Sequence, residues 1–302
     1  MIVVGIDENG LGPVLGPMIV TATAFRTPLY SADVFWQLSD ADLPADDSKI
    51  VFKSRKKVVA ETAVLQWLQL LQTHPKTAET LYRDIDPETP SPCPSGSSFG
   101  CRLPDSLPIP CFGGRDSALT SQIRGRFNAA AIEPLCCTAV ISCPGHFNET
   151  VSPLGRNKLQ FDFDMMLQLV DRIHVRFPDE SILALCGKVG GTRCYLPWFE
   201  SAEKVNVVAR HEKRNESQYQ VGEDTEIRFI KDGDSLHLPV AVASMIGKYL
   251  RELQMAELNQ LLAPEASPIS GYRDPRTKQF ILDTMMRRQQ LALPDRCFLR
   301  NC

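Results

Sequence analysis

The chain has 302 residues, 43% hydrophobic and 23% charged, with a formal net charge of −3 from 33 basic and 36 acidic residues. This is the profile of a globular protein with material for one large domain or two ordinary ones, and it gives no global electrostatic push toward nucleic acid. No apolar run reaches the roughly 18–20 residues of a membrane span, and no basic-then-apolar leader opens the chain, so no membrane association and a cytoplasmic location are expected.

The first element is the apolar run "MIVVGID", which ends at the adjacent carboxylates Asp7 and Glu8. Glycines and prolines crowd the segment that follows, "GIDENGLGPVLGP", and "PMIVTATAF" (17–25) is β-branched with partial alternation. Two strands joined by a Gly/Pro turn are expected. "KIVFKSRKK" (49–57) is locally basic, and its plainer reading is a solvated helix start. From about Ser54 to Leu71 the period becomes helical, with Val58, Val59, Leu65, Leu68 and Leu71 expected on one face.

Residues 84–117 are rich in Pro, Ser and Gly and have little periodicity, so they read as a long surface insertion, partly disordered. A strand is expected over 135–143. A helix follows over 158–177, with Phe161, Met165, Met166, Leu169, Ile173 and Phe177 as its apolar side. "SILALCG" (181–187) is a buried-strand candidate, and "EIRFIKDGD" (226–234) ends a strand in acidic residues. Helices are expected over 239–262 and near 275–290. Strands early and helices interleaved later argue an α/β sheet with helices packed on it.

The ten cysteines are scattered and include no CxxC pair, which favours reduced, structural thiols. Cys93, Cys101 and Cys111 form the one cluster that a zinc site could use.

The carboxylates are the chemical feature. A single acid at a strand end has a capping explanation, but of two adjacent acids one is turned toward a packed face, because strand side chains alternate. A half-buried acid needs a partner, and a divalent cation is one such partner. Asp234, at another strand end before a helix, can converge on the same place. Three acids from separated segments are the minimum for a Mg²⁺ or Mn²⁺ site serving phosphoryl chemistry.

"GIDENGLGPVLGP" resembles the opening of type 2 ribonucleases H (ribonuclease HII), close to GIDEAGRGPLAGP. "DDSKI" (46–50) is similar to that family's DSKKL. "KDGDSLHLPVAVASMIGKYLRE" (231–252) resembles its K-x-D followed by A-A-S-I-x-A-K-x-x-R-D, and "SGYR" (270–273) resembles a late Gly-Tyr segment. The resemblance implies a ribonuclease H-like α/β fold: a mixed five-stranded sheet flanked by helices, over residues 1–262 and including the 84–117 insertion. A C-terminal helical extension, 263–302, would pack on the same domain.

The resemblance also implies roles. Asp7, Glu8 and Asp234 become catalytic and metal-site carboxylates. Lys49, Lys248 and Arg251 become phosphate-backbone contacts, the last two on one helix face. Gly10 and Gly12 would offer backbone amides to the ribose-phosphate. Tyr272 would stack on sugar or base, with core packing as its other reading. The implied activity is two-metal hydrolysis of RNA in RNA–DNA hybrids, or at ribonucleotides embedded in duplex DNA, by a monomer using Mg²⁺ or Mn²⁺.

Two departures stand against full activity. The family's Gly-Arg-Gly is here Gly10-Leu11-Gly12, which removes a cation. The family's third acid, in a segment like V-D-G, falls on Cys186 or Gly187 of "LALCGKVGG", which holds no carboxylate. Asp162 and Asp164 are the nearest unassigned acids. A catalytically degenerate nucleic-acid-binding protein is therefore the alternative, and an actin-like ATP-dependent kinase, whose phosphate loop also follows a "GID" strand, is the third.

Overall fold

A computed structural model of the chain describes residues 1–46, 52, 57–87, 107–116, 119–151 and 157–301. Lys49, most of "KIVFKSRKK", Cys93, Cys101 and the middle of the 84–117 segment lie outside the described residues.

Among the described residues seven strands form one mixed sheet: β1 (Ile2–Asn9), β2 (Met18–Arg26), β3 (Glu133–Ser142), β4 (Ile182–Gly187), β5 (Val207–Glu212), β6 (Glu216–Val221) and β7 (Thr225–Ile230), in the order β3-β2-β1-β4-β7-β6-β5. β1, β4 and β7 run parallel, with Ile6 opposite Cys186 and Gly187 opposite Ile230, so their C-terminal ends share one edge. The other pairings are antiparallel. The expected mixed α/β sheet is present, with seven strands in place of five. The additional pair is the β5–β6 hairpin. Its outer strand alternates only between half-buried and exposed positions, so it lacks the apolar alternation that marks a packed strand. The described residues build a single sheet, not the two lobes that the kinase alternative requires.

Alternation along β1 sends Ile2, Val4 and Ile6 to one face and Val3 to the other. The first face packs on α6 (Lys158–Arg176) through Phe161, Met165, Met166, Leu169 and Ile173, as its period predicts. The second face packs on α9 (Leu238–Leu262), a helix buried on several sides. Gly5 permits that contact: a Cβ there would lie 2.1 Å from the Pro239 carbonyl carbon. Thr23 Oγ1 donates to the Pro239 carbonyl at 2.8 Å and Asn9 Nδ2 to the Ser244 carbonyl at 3.1 Å, which fixes the register of α9 against the sheet.

The shorter helices are α1 (Ala32–Trp36), α2 (Lys57–Leu70), α3 (Ala78–Ile85), α4 (Ser121–Ala129), α5 (Pro144–Val151), α7 (Leu196–Ser201), α8 (Gly233–Leu236), α10 (Pro275–Asp283), α11 (Met285–Gln290) and α12 (Asp295–Phe298). In α2, Leu65 and Leu68 are buried, with Leu71 beyond its end, but Val58 and Val59 are exposed at its first turn. The expected five-residue stripe is thus a three-residue one, because only the later turns reach the core.

The described ends of the 84–117 segment depart from a loose surface insertion. Residues up to Ile85 finish α3, and 107–116 is anchored. The buried Glu61 carboxylate accepts from the backbone N–H of Cys111 (2.6 Å), Phe112 (2.8 Å) and Gly114 (2.7 Å) and from the Tyr249 hydroxyl (2.8 Å). One buried acid therefore satisfies three backbone N–H groups of 111–114, while Pro108 bridges Thr77 and Leu107 and Ile109 exchange backbone hydrogen bonds with Ala78 and Lys76.

Beyond α9, Leu15, Met255, Leu262, Phe280, Leu293 and Phe298 form a further apolar cluster. The C-terminal residues reach back to the first turn: Leu15 bridges Leu299, and Arg300 N donates to the Val14 carbonyl at 2.9 Å. No described helix is long and apolar enough to cross a membrane.

Candidate functional site

A cavity of about 430 Å³ opens at the shared C-terminal edge of β1, β4 and β7. It is lined by Asp7, Glu8, Gly10, Gly12, Asp234, Lys248, Arg251 and Tyr272, every site residue expected from sequence except Lys49, which is outside the described residues. Asn9, Gly187, Lys188, Lys231 and Ser244 complete much of the wall. Of these, Asn9, Lys188, Lys231 and Ser244 were given no role from sequence, although each sits within or beside a motif used there: Asn9 follows Glu8, and Lys188 follows "LCG".

Asp7 and Glu8 end β1 half-buried. A Cβ on Gly187 would stand 2.7 Å from Asp7 Oδ1 and 3.4 Å from Glu8 Oε2, so the two carboxylates converge on the space beside that glycine. Cys186 is excluded from this role. Its side chain lies in the apolar cluster under the opposite face, and burial, with Asp162 and Asp7 nearby, pushes its thiol well up. Of the two positions Gly187 is the one that faces the carboxylates, and a side chain there would enter the space between them.

Asp162 lies under the same strand ends. It is fully buried, neither carboxylate oxygen has a hydrogen-bond partner among the described residues, and burial, reinforced by Asp7, pushes its carboxyl well above the usual range. Burial in the apolar layer thus favours its uncharged form.

The glycine turn is built by its neighbours. Gly10 has φ +94°, and a Cβ there would lie 2.6 Å from the Pro17 carbonyl oxygen, so only glycine fits without strain. Arg251 holds the same turn from inside: Nη1 donates to the Pro17 carbonyl at 3.1 Å, and Nη2 to Leu15 at 3.1 Å and Ser270 at 3.0 Å. It is 2% exposed, and burial lowers its guanidinium to about 10, still charged at neutral pH. Arg251, expected as a phosphate-backbone contact, lines the cavity wall with its guanidinium committed to these three carbonyls. Three-residue spacing puts Lys248 and Arg251 near each other on α9, but the helix is buried on that side too, so Arg251 turns inward.

Lys248 keeps a partly accessible ammonium, bound to Glu252 at 2.8 Å, which also accepts from Lys57 at 2.7 Å. Burial alone would raise the Glu252 carboxyl; Lys248 and Lys57 outweigh it and hold it low. Tyr272 is 48% exposed, and its Cε1 lies 3.6 Å from where a Gly12 Cβ would be. The ring stands beside the glycine turn and open to solvent, which removes the core-packing reading.

The donor chemistry suits a hard divalent cation, since Asp7, Glu8 and Asp234 are all oxygen ligands. In placement the fit is incomplete: among the described residues no group of three or more His, Cys, Asp or Glu side chains stands so as to hold a metal ion. The arrangement gathers two carboxylates, sets Asp234 in the same cavity, and leaves at Gly187 the space a further carboxylate would fill.

Residues 200–296 match the family model described as Ribonuclease HII. The curated proteins contain no match. Among solved structures, the ribonuclease HII of the PCNA complex from Archaeoglobus fulgidus is similar at 15% identity and TM-score 0.45, over 100% of this chain and 94% of that one. Bst-RNase HIII in complex with Mn²⁺ is similar at 12% identity and TM-score 0.47, over 100% of this chain and 66% of that one. The ribonuclease H2 from Pyrococcus horikoshii OT3 is similar at 14% identity and TM-score 0.39, over 99% and 92%. Strand β7, Asp234 and the whole of α9 fall inside the matched segment, which covers residues 200–296 of the 302.

Proposed function

We propose that the cavity binds RNA–DNA hybrid, or duplex DNA carrying a ribonucleotide, and that the protein is a metal-dependent endoribonuclease of low turnover. The observation that carries this reading is the meeting of Asp7, Glu8, Asp234, the glycine turn, Lys248 and Tyr272 in one cavity at the ends of the parallel strands. Asp7, Glu8 and Asp234 would hold Mg²⁺ or Mn²⁺, which when bound supplies an activated water and neutralises charge on the scissile phosphate.

The chain's own residues position the substrate. The turn at Gly10 and Gly12 lets a sugar-phosphate approach the backbone closely, since no side chain intervenes. Arg251 keeps that turn in shape by holding three of its surrounding carbonyls. Lys248 meets the phosphate backbone, with Glu252 fixing its ammonium. The exposed ring of Tyr272 stacks on a sugar or base beside Gly12, where 2′-hydroxyl contacts distinguish RNA from DNA.

Binding without cleavage is the second reading, favoured by Gly187, which leaves Asp7 and Glu8 without the carboxylate that would join them. The two are separated by incubating the chain with Mg²⁺ or Mn²⁺ and either an RNA–DNA hybrid or a duplex carrying one ribonucleotide. Cleavage lost in Asp7→Asn supports the enzyme; tight binding with no cleavage supports the second reading.

A further inference from the structure

The β5–β6 hairpin turns at the same sheet edge as the cavity, because β6 runs antiparallel to β7 and Glu216 pairs with Ile230. Its tip is Lys213-Arg214-Asn215, all exposed. Lys188, on the cavity wall, donates from Nζ to the Lys213 carbonyl and to Ser217 Oγ, each at 3.1 Å. Lys231, also on the wall, donates its backbone N–H to the Asn215 carbonyl at 2.8 Å. The Arg193 carbonyl accepts from Ser217 Oγ at 2.7 Å. Lys188, Arg193, Lys213, Arg214 and Lys231 are thereby gathered on one rim.

We propose that this rim is a phosphate-binding arm, which takes the sugar-phosphate backbone of the nucleic acid beyond the stretch held in the cavity. The proposal rests on the nucleic-acid reading above and adds a second contact surface to it.

Arg193, Lys213 and Arg214 make no ion pair with a described residue, so three exposed cations keep their charge available. The acids nearby are engaged: Glu212 accepts from the Tyr219 hydroxyl, Glu216 lies 3.9 Å from His211, and Asp232 lies 3.5 Å from Lys231. Burial and the neighbouring Arg193 lower the Lys188 ammonium, as expected where cations crowd.

The arm is also rigid. Tyr195 and Phe229 stack beneath it with centroids 3.9 Å apart, the Tyr195 hydroxyl accepts from Val189 N at 3.1 Å, and the Tyr219 hydroxyl accepts from Tyr195 N at 2.8 Å. A cationic surface fixed beforehand loses little freedom on binding. Protein partners are a poorer fit, because protein interfaces rest on an apolar buried centre, and Lys213-Arg214-Asn215 offers none. Duplex phosphates need only cations at fixed spacing.

The test is equilibrium binding of a fluorescent ribonucleotide-containing duplex, long enough to pass beyond the cavity, to the full chain in EDTA across a salt series. Lys213→Gln combined with Arg214→Gln is expected to make the slope of log Kd against log salt shallower by about 2. The loss of affinity between about 50 and 200 mM salt then shrinks by about tenfold. Arg193→Gln, which alters one exposed side chain, is expected to flatten the slope by about 1 and decides the matter if the double variant does not fold. Unchanged slope and affinity in the folded variants, or tighter binding of polyglutamate than of duplex by the wild-type chain, overturns the arm. Lys248→Gln and Tyr272→Ala separate the two claims: if they leave duplex binding intact while the hairpin variants weaken it, the arm stands and the cavity reading falls. If the wild-type chain binds no duplex at low salt, both fall.

Discussion

Gly187 stands where a side chain would enter the carboxylate pair: its Cβ would lie 2.7 Å from Asp7 Oδ1. The obstacle is the far end of a flexible side chain, so an acid can be accommodated there if Asp7 turns aside. Without metal, Gly187→Asp places a third negative charge beside two others and lowers the melting temperature. With Mg²⁺ or Mn²⁺ the same variant gains more stability than wild type, because a ligand that binds only the folded state stabilises it by mass action. Thermal melts with and without metal check this; equal metal-induced shifts in the two proteins would count against a cation site beside Gly187.

Arg251 separates a positioning role from a phosphate contact. Its three carbonyl bonds are buried and charge-assisted, so Arg251→Gln leaves acceptors unpaired and costs at least about 3 kcal/mol. The melting temperature falls, by about 5 °C or more, and the loss does not depend on substrate. A variant with unchanged melting and weaker duplex binding would return Arg251 to the role the motif implied.

Asp162 makes stability depend on pH. Its folded pKa lies above the unfolded value, so its contribution is complete below about pH 4 and is lost as pH rises through the folded pKa. Asp162→Asn removes that titration. Denaturant midpoints measured in EDTA from acid to neutral pH are expected to fall more steeply for wild type, by at most about 1.4 kcal/mol per pH unit. Parallel curves would show that the carboxyl is ionised or paired in the folded protein.

Glu61 holds residues 107–116 through three backbone N–H groups and meets the Tyr249 hydroxyl as well. Glu61→Ala leaves the buried Tyr249 hydroxyl and three partly buried N–H groups unpaired, for a loss of about 3 kcal/mol. Proteolysis under native conditions should then begin within 107–116; an unchanged digestion pattern would mean the segment is held by other contacts.

Much of this architecture was legible in the sequence where local pattern and packing agree. β1, β2, α6, β4 and α9 carry continuous or periodic apolar residues, and each element lies where its pattern put it. The β5–β6 hairpin was missed because an outer strand bearing Arg210, His211 and Glu212 has no buried face to print on the sequence. Helices α3, α4 and α5 are short, and the first two are begun by N-caps at Thr77 and Thr120 rather than marked by long apolar stripes. In the site, motif order brought Asp7, Glu8, Asp234, Lys248 and Tyr272 to one cavity. It could not show that Arg251 points inward, because helical spacing gives proximity along a face and not what packs on that face. Nor could it choose between Cys186 and Gly187, a choice made by strand alternation in β4.

The proposed function makes this cavity a ribonuclease H-type centre weakened at Gly187. Cleavage of a duplex carrying one ribonucleotide, in Mn²⁺ or Mg²⁺, by wild type, Asp7→Asn and Gly187→Asp tests it most directly. Slow cutting by wild type, none by Asp7→Asn and faster cutting by Gly187→Asp are expected. A folded Gly187→Asp protein that binds the duplex yet, like wild type, leaves it intact would contradict it.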